Sequence, residues 1–116
     1  MEIQEAQLLS KLMDMSIKRQ QTIAGNIANA NTPGFLRKTF DFEAEMKRVM
    51  ETGDLTQLTS VEGAVNTDKI TPTRPDGNNV ELGREMNDMI ENNVYHNLLT
   101  RALSTKLRII RQAMTS

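Results

Sequence analysis

The sequence predicts an all-α fold in which two long terminal helices pair as an antiparallel coiled coil, joined by a largely irregular middle segment. Three observations carry that prediction. Apolar residues recur at helical spacing through residues 3–29 and again through 81–114. The stretch between them, 36–79, is rich in Thr, Gly, Asp and Pro with isolated aliphatics. Turn signals stand at both joints, Thr32-Pro33-Gly34 and Asp76-Gly77-Asn78-Asn79. The chain of 116 residues is therefore read as one structural domain in three segments, 1–35, 36–79 and 80–116.

Composition narrows the functional classes. The 14 basic and 15 acidic residues leave a net charge of −1, which argues against a nucleic-acid binder. Three Phe, one Tyr and no Trp leave little aromatic bulk, and eight Met supply adaptable apolar contacts instead. With no Cys, neither a disulfide nor thiolate chemistry is open to the chain. No apolar run reaches transmembrane length, and Met1 to Ser10 carries two glutamates but no basic region of a conventional secretory signal.

The first helix, 3 to about 29, is expected to be about 40 Å long. At 100° per residue Leu9, Leu12, Met13, Ile23, Ile27 and Ala30 fall on one side, with Ser16 and Gln20 interrupting the stripe. Lys11, Asp14, Lys18, Gln21, Gly25 and Asn29 fall on the other. Its end is distinctive. Ala24, Gly25 and Ala28 leave a slim surface, while Asn26, Asn29 and Asn31 add amides that donate and accept. Pro33 disfavours helical geometry at Thr32, and Gly34 frees the chain to turn before Phe35. Gly25 and Asn29, opposite the stripe, are expected to face water or a second partner.

In the middle, Phe40 and Phe42 alternate like a short extended segment, and a short helix is expected near 42–50. From 51 to 79 the chain reads as an irregular loop with a brief extended piece, mobile in the isolated protein. The final helix, about 81 to 114, places acids early and bases late, as its dipole prefers. Glu85 and Asp88 accordingly read as an exposed, dipole-matched turn rather than as an acid–base pair. Leu82, Met86, Met89, Ile90 and Val94 form one stripe; Tyr95, Leu99, Ala102, Leu103, Ile110 and Ala113 form another, rotated by roughly 140°. The second half is expected to meet the first helix, and the first half to face other material. His96 has no Cys or carboxylate one turn away, so it reads as an interface histidine and not as a metal ligand. No convergent set of reactive groups predicts an enzyme.

The run Ala24-Gly25-Asn26-Ile27-Ala28-Asn29-Ala30-Asn31-Thr32-Pro33-Gly34-Phe35 resembles the N-terminal signature of the bacterial flagellar rod and hook family. Members end an amphipathic helix in Ala-Asn-x-x-Asn-x-x-Thr-Pro-Gly-aromatic, and Gly25 stands where Ala is commoner. Asp76-Gly77-Asn78-Asn79-Val80-Glu81-Leu82, then Glu85-Met86 and Asn92, is similar to the family's C-terminal block. The resemblance implies a structural subunit of the proximal rod that passes through the flagellar type III export apparatus without a cleaved signal. It would pack helically with copies of itself, FlgC-like subunits and the adaptor FliE, to transmit torque. No cofactor, small-molecule substrate or nucleic acid is implied. Assembly contacts are expected at Ala24, Gly25, Asn26, Ala28, Asn29, Asn31, Thr32, Pro33, Gly34, Phe35, Asn78, Asn79, Met86, Met89 and Ile90. Physics points the same way: two long amphipathic helices and a thin middle cannot bury both apolar surfaces in a monomer of this size. The rival class is a free-standing helical adaptor acting as a dimeric bundle.

Overall fold

Helical periodicity uninterrupted by proline carries α1 over Glu2–Ala28, until Pro33 bars its continuation. The structure, a computed structural model, describes residues 2–115. Met1 and Ser116, the outer limits of the terminal segments read from the sequence, lie outside the described residues. After the turn come β1 (Lys38–Asp41), α2 (Glu43–Thr52), a 3-10 turn (Leu55–Ser60), β2 (Ala64–Thr67) and α3 (Leu82–Thr115).

The two long helices run antiparallel. Side-chain partners descend α1 as they ascend α3: Asn26 meets Glu85, Gln20 meets Asn92, Ser16 meets His96 and Glu5 pairs with Lys106. The molecule is accordingly elongated, 64 × 26 × 14 Å. The middle is irregular for most of its length but contains a two-stranded antiparallel sheet, with Lys38 opposite Thr67 and Phe40 opposite Val65. Strand β2 is the brief extended piece expected within 51–79, though the sequence does not place it there, and the 3-10 turn has no counterpart in the sequence reading.

The apolar core is not where the two helical stripes place it. Met15, Phe40, Phe42, Met46, Val49, Leu58 and Val61 cluster together, with Leu8, Leu12 and Leu55 packed at the margin. The middle segment thus folds back over α1 and supplies most of the cluster. Alternation along β1 and the step into α2 bring both Phe40 and Phe42 inward, their ring centroids 6.1 Å apart. Arg19 lies over the Phe42 ring at 4.7 Å and donates to the Phe40 carbonyl and to Glu43. Lys11, read as outward-facing, instead donates its ammonium to the Val61 carbonyl at 2.8 Å. Its long stem lets the charged head reach across the cluster's edge.

Candidate functional site

The end of α1 and the turn before α3 interlock. Gly34 N donates to the Asp76 carbonyl at 2.8 Å, and Gly77 in turn closes a hydrogen bond onto Arg74. Both glycines have positive φ, +77° and +83°, and a Cβ at Gly77 would sit 3.3 Å from the Gly34 Cα. Two left-handed turns in this close contact need glycine at both places. Asn78 then closes the joint: its amide donates to the Asn29 and Thr32 carbonyls, each at 2.9 Å, while its oxygen accepts from Val80 N. Arg74 adds bonds to the Ala30 and Val80 carbonyls, both 2.6 Å. The Asn29, Ala30 and Thr32 carbonyls lie in the turn that follows α1, so Asn78 and Arg74 tie that turn to the segment leading into α3.

Behind this joint lies a buried polar centre. Asn26 is buried in α1 yet mimics a strand partner, donating to the Lys38 carbonyl at 2.7 Å and accepting from Lys38 N at 2.9 Å. Its amide also donates to Glu85 at 3.1 Å. Glu85 is fully buried and pairs with the Arg37 guanidinium, which reaches Asp68 and Asp88 as well. Burial opposes the Arg37 charge, but its hydrogen bonds and charge interactions with Glu85 and then Asp68 prevail and raise its pKa further. Asp68 is held well below the usual carboxylate range, first by bonds from the Thr71 hydroxyl and amide, then from Ile70 N, with Arg37 a lesser contributor. Asn79 fastens the same loop, accepting from Arg37 N at 2.6 Å and donating to the Asp68 and Thr71 carbonyls.

The polar theme continues along the helix pair. Buried Asn92 donates to the Ser16 carbonyl and to Gln20, and the Ser16 hydroxyl lies 2.7 Å from His96 Nδ1. The residues that interrupt the α1 stripe are therefore its contacts with α3. Two expectations are corrected here. Glu85 and Asp88 do not form an exposed turn; Arg37, brought in from the middle segment, allows Glu85 to be buried. Nor is the first half of α3 turned away from α1: its polar face packs there through Glu85 and Asn92. The apolar stripe points outward instead, with Leu82, Met86, Ile90 and Val94 all 49–62% exposed.

The residues expected to make assembly contacts thus divide. Asn26, Asn78 and Asn79 are buried and bonded within the chain. Asn29 is half-buried, its amide bonded to the Gly25 carbonyl. Ala24, Ala28, Asn31, Thr32, Pro33, Gly34, Met86 and Ile90 are exposed, while Gly25, Phe35 and Met89 are intermediate. A Cβ at Gly25 would meet no atom within 4 Å. Sequence reasoning missed Arg37 and Asp68 as parts of the polar centre. A weak signal existed for α3, where Glu85, Asn92 and Leu99 recur every seven residues and share a face. Among the described residues no cluster of His, Cys, Asp or Glu is placed to hold a metal, and no helix is long and apolar enough to cross a membrane.

Comparison with known proteins converges on one family. The model of the flagella basal body rod protein family matches residues 17–35, the end of α1 and its turn. The flagellar basal body rod protein FlgB of Escherichia coli is 30% identical over 114 residues, covering 83% of this chain and 82% of the relative. FlgB of Salmonella typhimurium is 32% identical over 113 residues, with 83% and 82% covered. FlgB of Borrelia hermsii is 30% identical over 111 residues, with 80% and 82% covered.

Proposed function

We propose a mechanical role for this chain, which belongs to the family of flagellar basal body rod proteins named FlgB. It is a structural subunit of that rod and not an enzyme, and it associates with other rod components. The finer reading is ours. The subunit is exported through the flagellar type III apparatus, takes its place in the periplasmic part of the rod, and packs against copies of itself, FlgC-like subunits and FliE.

The observation that carries this reading is the inversion of α3, whose inner face buries Glu85 and Asn92 while its outer face exposes Leu82, Met86, Ile90 and Val94. Monomeric proteins seldom leave a contiguous apolar strip open to water, and such strips mark contact surfaces. A torque-bearing subunit needs both features. The directional polar bonds fix the angle between its helices, and the apolar face joins it to neighbours.

The slim surface of Ala24, Gly25 and Ala28 supplies a second contact, where a neighbour's backbone can come close. Replacing Gly25 with Leu tests this. Because a Cβ at Gly25 would meet no atom within 4 Å in the isolated subunit, the thermal midpoint of the purified protein should be unchanged or slightly raised. In cells, export should persist while rod assembly and swimming are lost. A Gly25→Leu strain that swims normally on intact rods would overturn the assignment of this surface.

A further inference from the structure

The outer apolar residues of α3 form a single ridge. Leu82, Met86, Ile90, Val94 and Leu98 follow one another at intervals of four and are all about half exposed or more. Such an i, i+4 row is the unit that seats in the groove of a neighbouring helix pair. It extends for about 24 Å along the axis.

On the other flank of α3, at the same level, the molecule has a groove of about 1010 Å³. Its walls are α1, β1, α2 and α3, and its apolar lining includes Ile23, Phe40, Met46 and Met50. The α3 residues that line it, Glu85, Asp88, Glu91, Asn92 and Tyr95, are centred about 160° round the helix from Ile90, with Glu91 at the edge nearest the ridge. The two surfaces also differ in charge. The groove lining holds six acids against four bases, and exposed Glu51 and Glu91 have no ion pair among the described residues. Arg101, one turn beyond the ridge, is exposed and without an ion pair among the described residues, and no acid follows Glu91 in the sequence.

We infer that the ridge of one copy seats in the groove of the next, with Arg101 brought towards the acidic rim. This pairing rests on the structural-subunit reading above and specifies its lateral contact. Ridge and groove are different surfaces, so the contact is heterologous and does not satisfy itself in a dimer. They lie at one level on opposite flanks, so neighbours stand side by side with their long axes roughly parallel. Repetition builds a wall that curves into a tube, as an axial rod requires.

The absence of Cys makes a clean test possible. Ile90→Cys and Met50→Cys place one thiol on the ridge and one in the groove, both at exposed positions that the fold tolerates. Mixed at high concentration under mild oxidation, the two variants should form the mixed disulfide dimer about ten-fold faster than Ile70→Cys forms its own, since binding holds the thiols together. Ile70 is an exposed control outside both surfaces. A chain carrying both cysteines should give a ladder of linked copies, and Arg101→Glu should slow the reaction.

Equal rates for the mixture and the Ile70 control would overturn the pairing. So would Ile90→Cys alone dimerising as fast as the mixture, since that would mean ridge against ridge. Ile90→Glu in cells separates the two failures. Lost swimming without the mixed cross-link would leave the rod reading standing with a different occupant on the ridge, whereas normal swimming would remove the ridge as an assembly contact altogether.

Discussion

The apolar cluster under α2 and the polar seam under α3 share α1 as a common wall, yet they are built from opposite chemistry. Adjacent residues make the division: Met15 enters the apolar cluster and Ser16, 100° further round, enters the polar seam. Apolar packing is non-directional and tolerates repacking when volume is kept. The seam consists of bonds with fixed partners, Asn26 to Lys38 and Glu85, Asn92 to Ser16 and Gln20, Arg37 to Glu85. A one-turn slip of α3 along α1 would part Glu85 from Asn26 and Asn92 from Ser16 and Gln20, leaving buried groups unpaired, which is costly. The cluster therefore supplies adhesion and the seam supplies register, which suits a subunit whose outer apolar ridge must be presented at a fixed angle.

The sharpest way to break this comparison is to remove one member of the buried ion pair. Arg37→Ala leaves Glu85 without its cation and should lower the unfolding free energy by about 3–5 kcal/mol in denaturant titrations. Replacing both residues, Arg37→Met with Glu85→Met, should restore much of that loss while relaxing the helix register. A double variant as unstable as the single one would show that the seam contributes adhesion as well as register. On the apolar side, Met46→Ala should cost about 2–5 kcal/mol through lost burial and the cavity left behind. Met46→Leu should cost less than about 1.5 kcal/mol, because volume is conserved. Unequal tolerance to conservative replacement is the expected signature of the two regions.

Legibility from the sequence follows the same division. The long helices, their antiparallel pairing and the turn at Pro33-Gly34 were readable because periodicity, length and turn chemistry are local properties. The site of Phe40 in a short extended piece was readable for the same reason, although β1 ends at Asp41 and Phe42 stands at the N-cap of α2. Arg37 in the polar centre was not, because its partners Asp68, Glu85 and Asp88 lie 31 to 51 residues away. Only the seven-residue spacing of Glu85, Asn92 and Leu99 sets the buried carboxylate apart from the dipole-matched acids beside it. Leu58 and Val61 likewise look like isolated aliphatics until the chain folds back onto Met15. The family signature located the joint but not its use: the asparagines at 26, 78 and 79 are bonded within the subunit, leaving Ala24, Gly25 and Ala28 as the open part.

Asp68 offers the gentlest probe, because it holds the rim of the seam. Its bonds from Thr71, Ile70 and Arg37 favour the ionised form, so its folded pKa lies well below the value near 4 expected in the unfolded chain. The stabilisation is therefore complete above about pH 4 and is lost as pH falls through the folded value. Asp68→Asn should cost about 1–3 kcal/mol at neutral pH, since charged hydrogen bonds become neutral ones. The difference between wild type and variant should then shrink steadily below about pH 4, as the wild-type carboxyl takes up its proton. Urea unfolding at a series of pH values measures that difference directly, with other acids cancelling between the two proteins. A gap that stays constant down to about pH 2 would mean that Asp68 acts through loop geometry alone. A gap that closes would place its charge among the bonds that hold the middle segment to the seam.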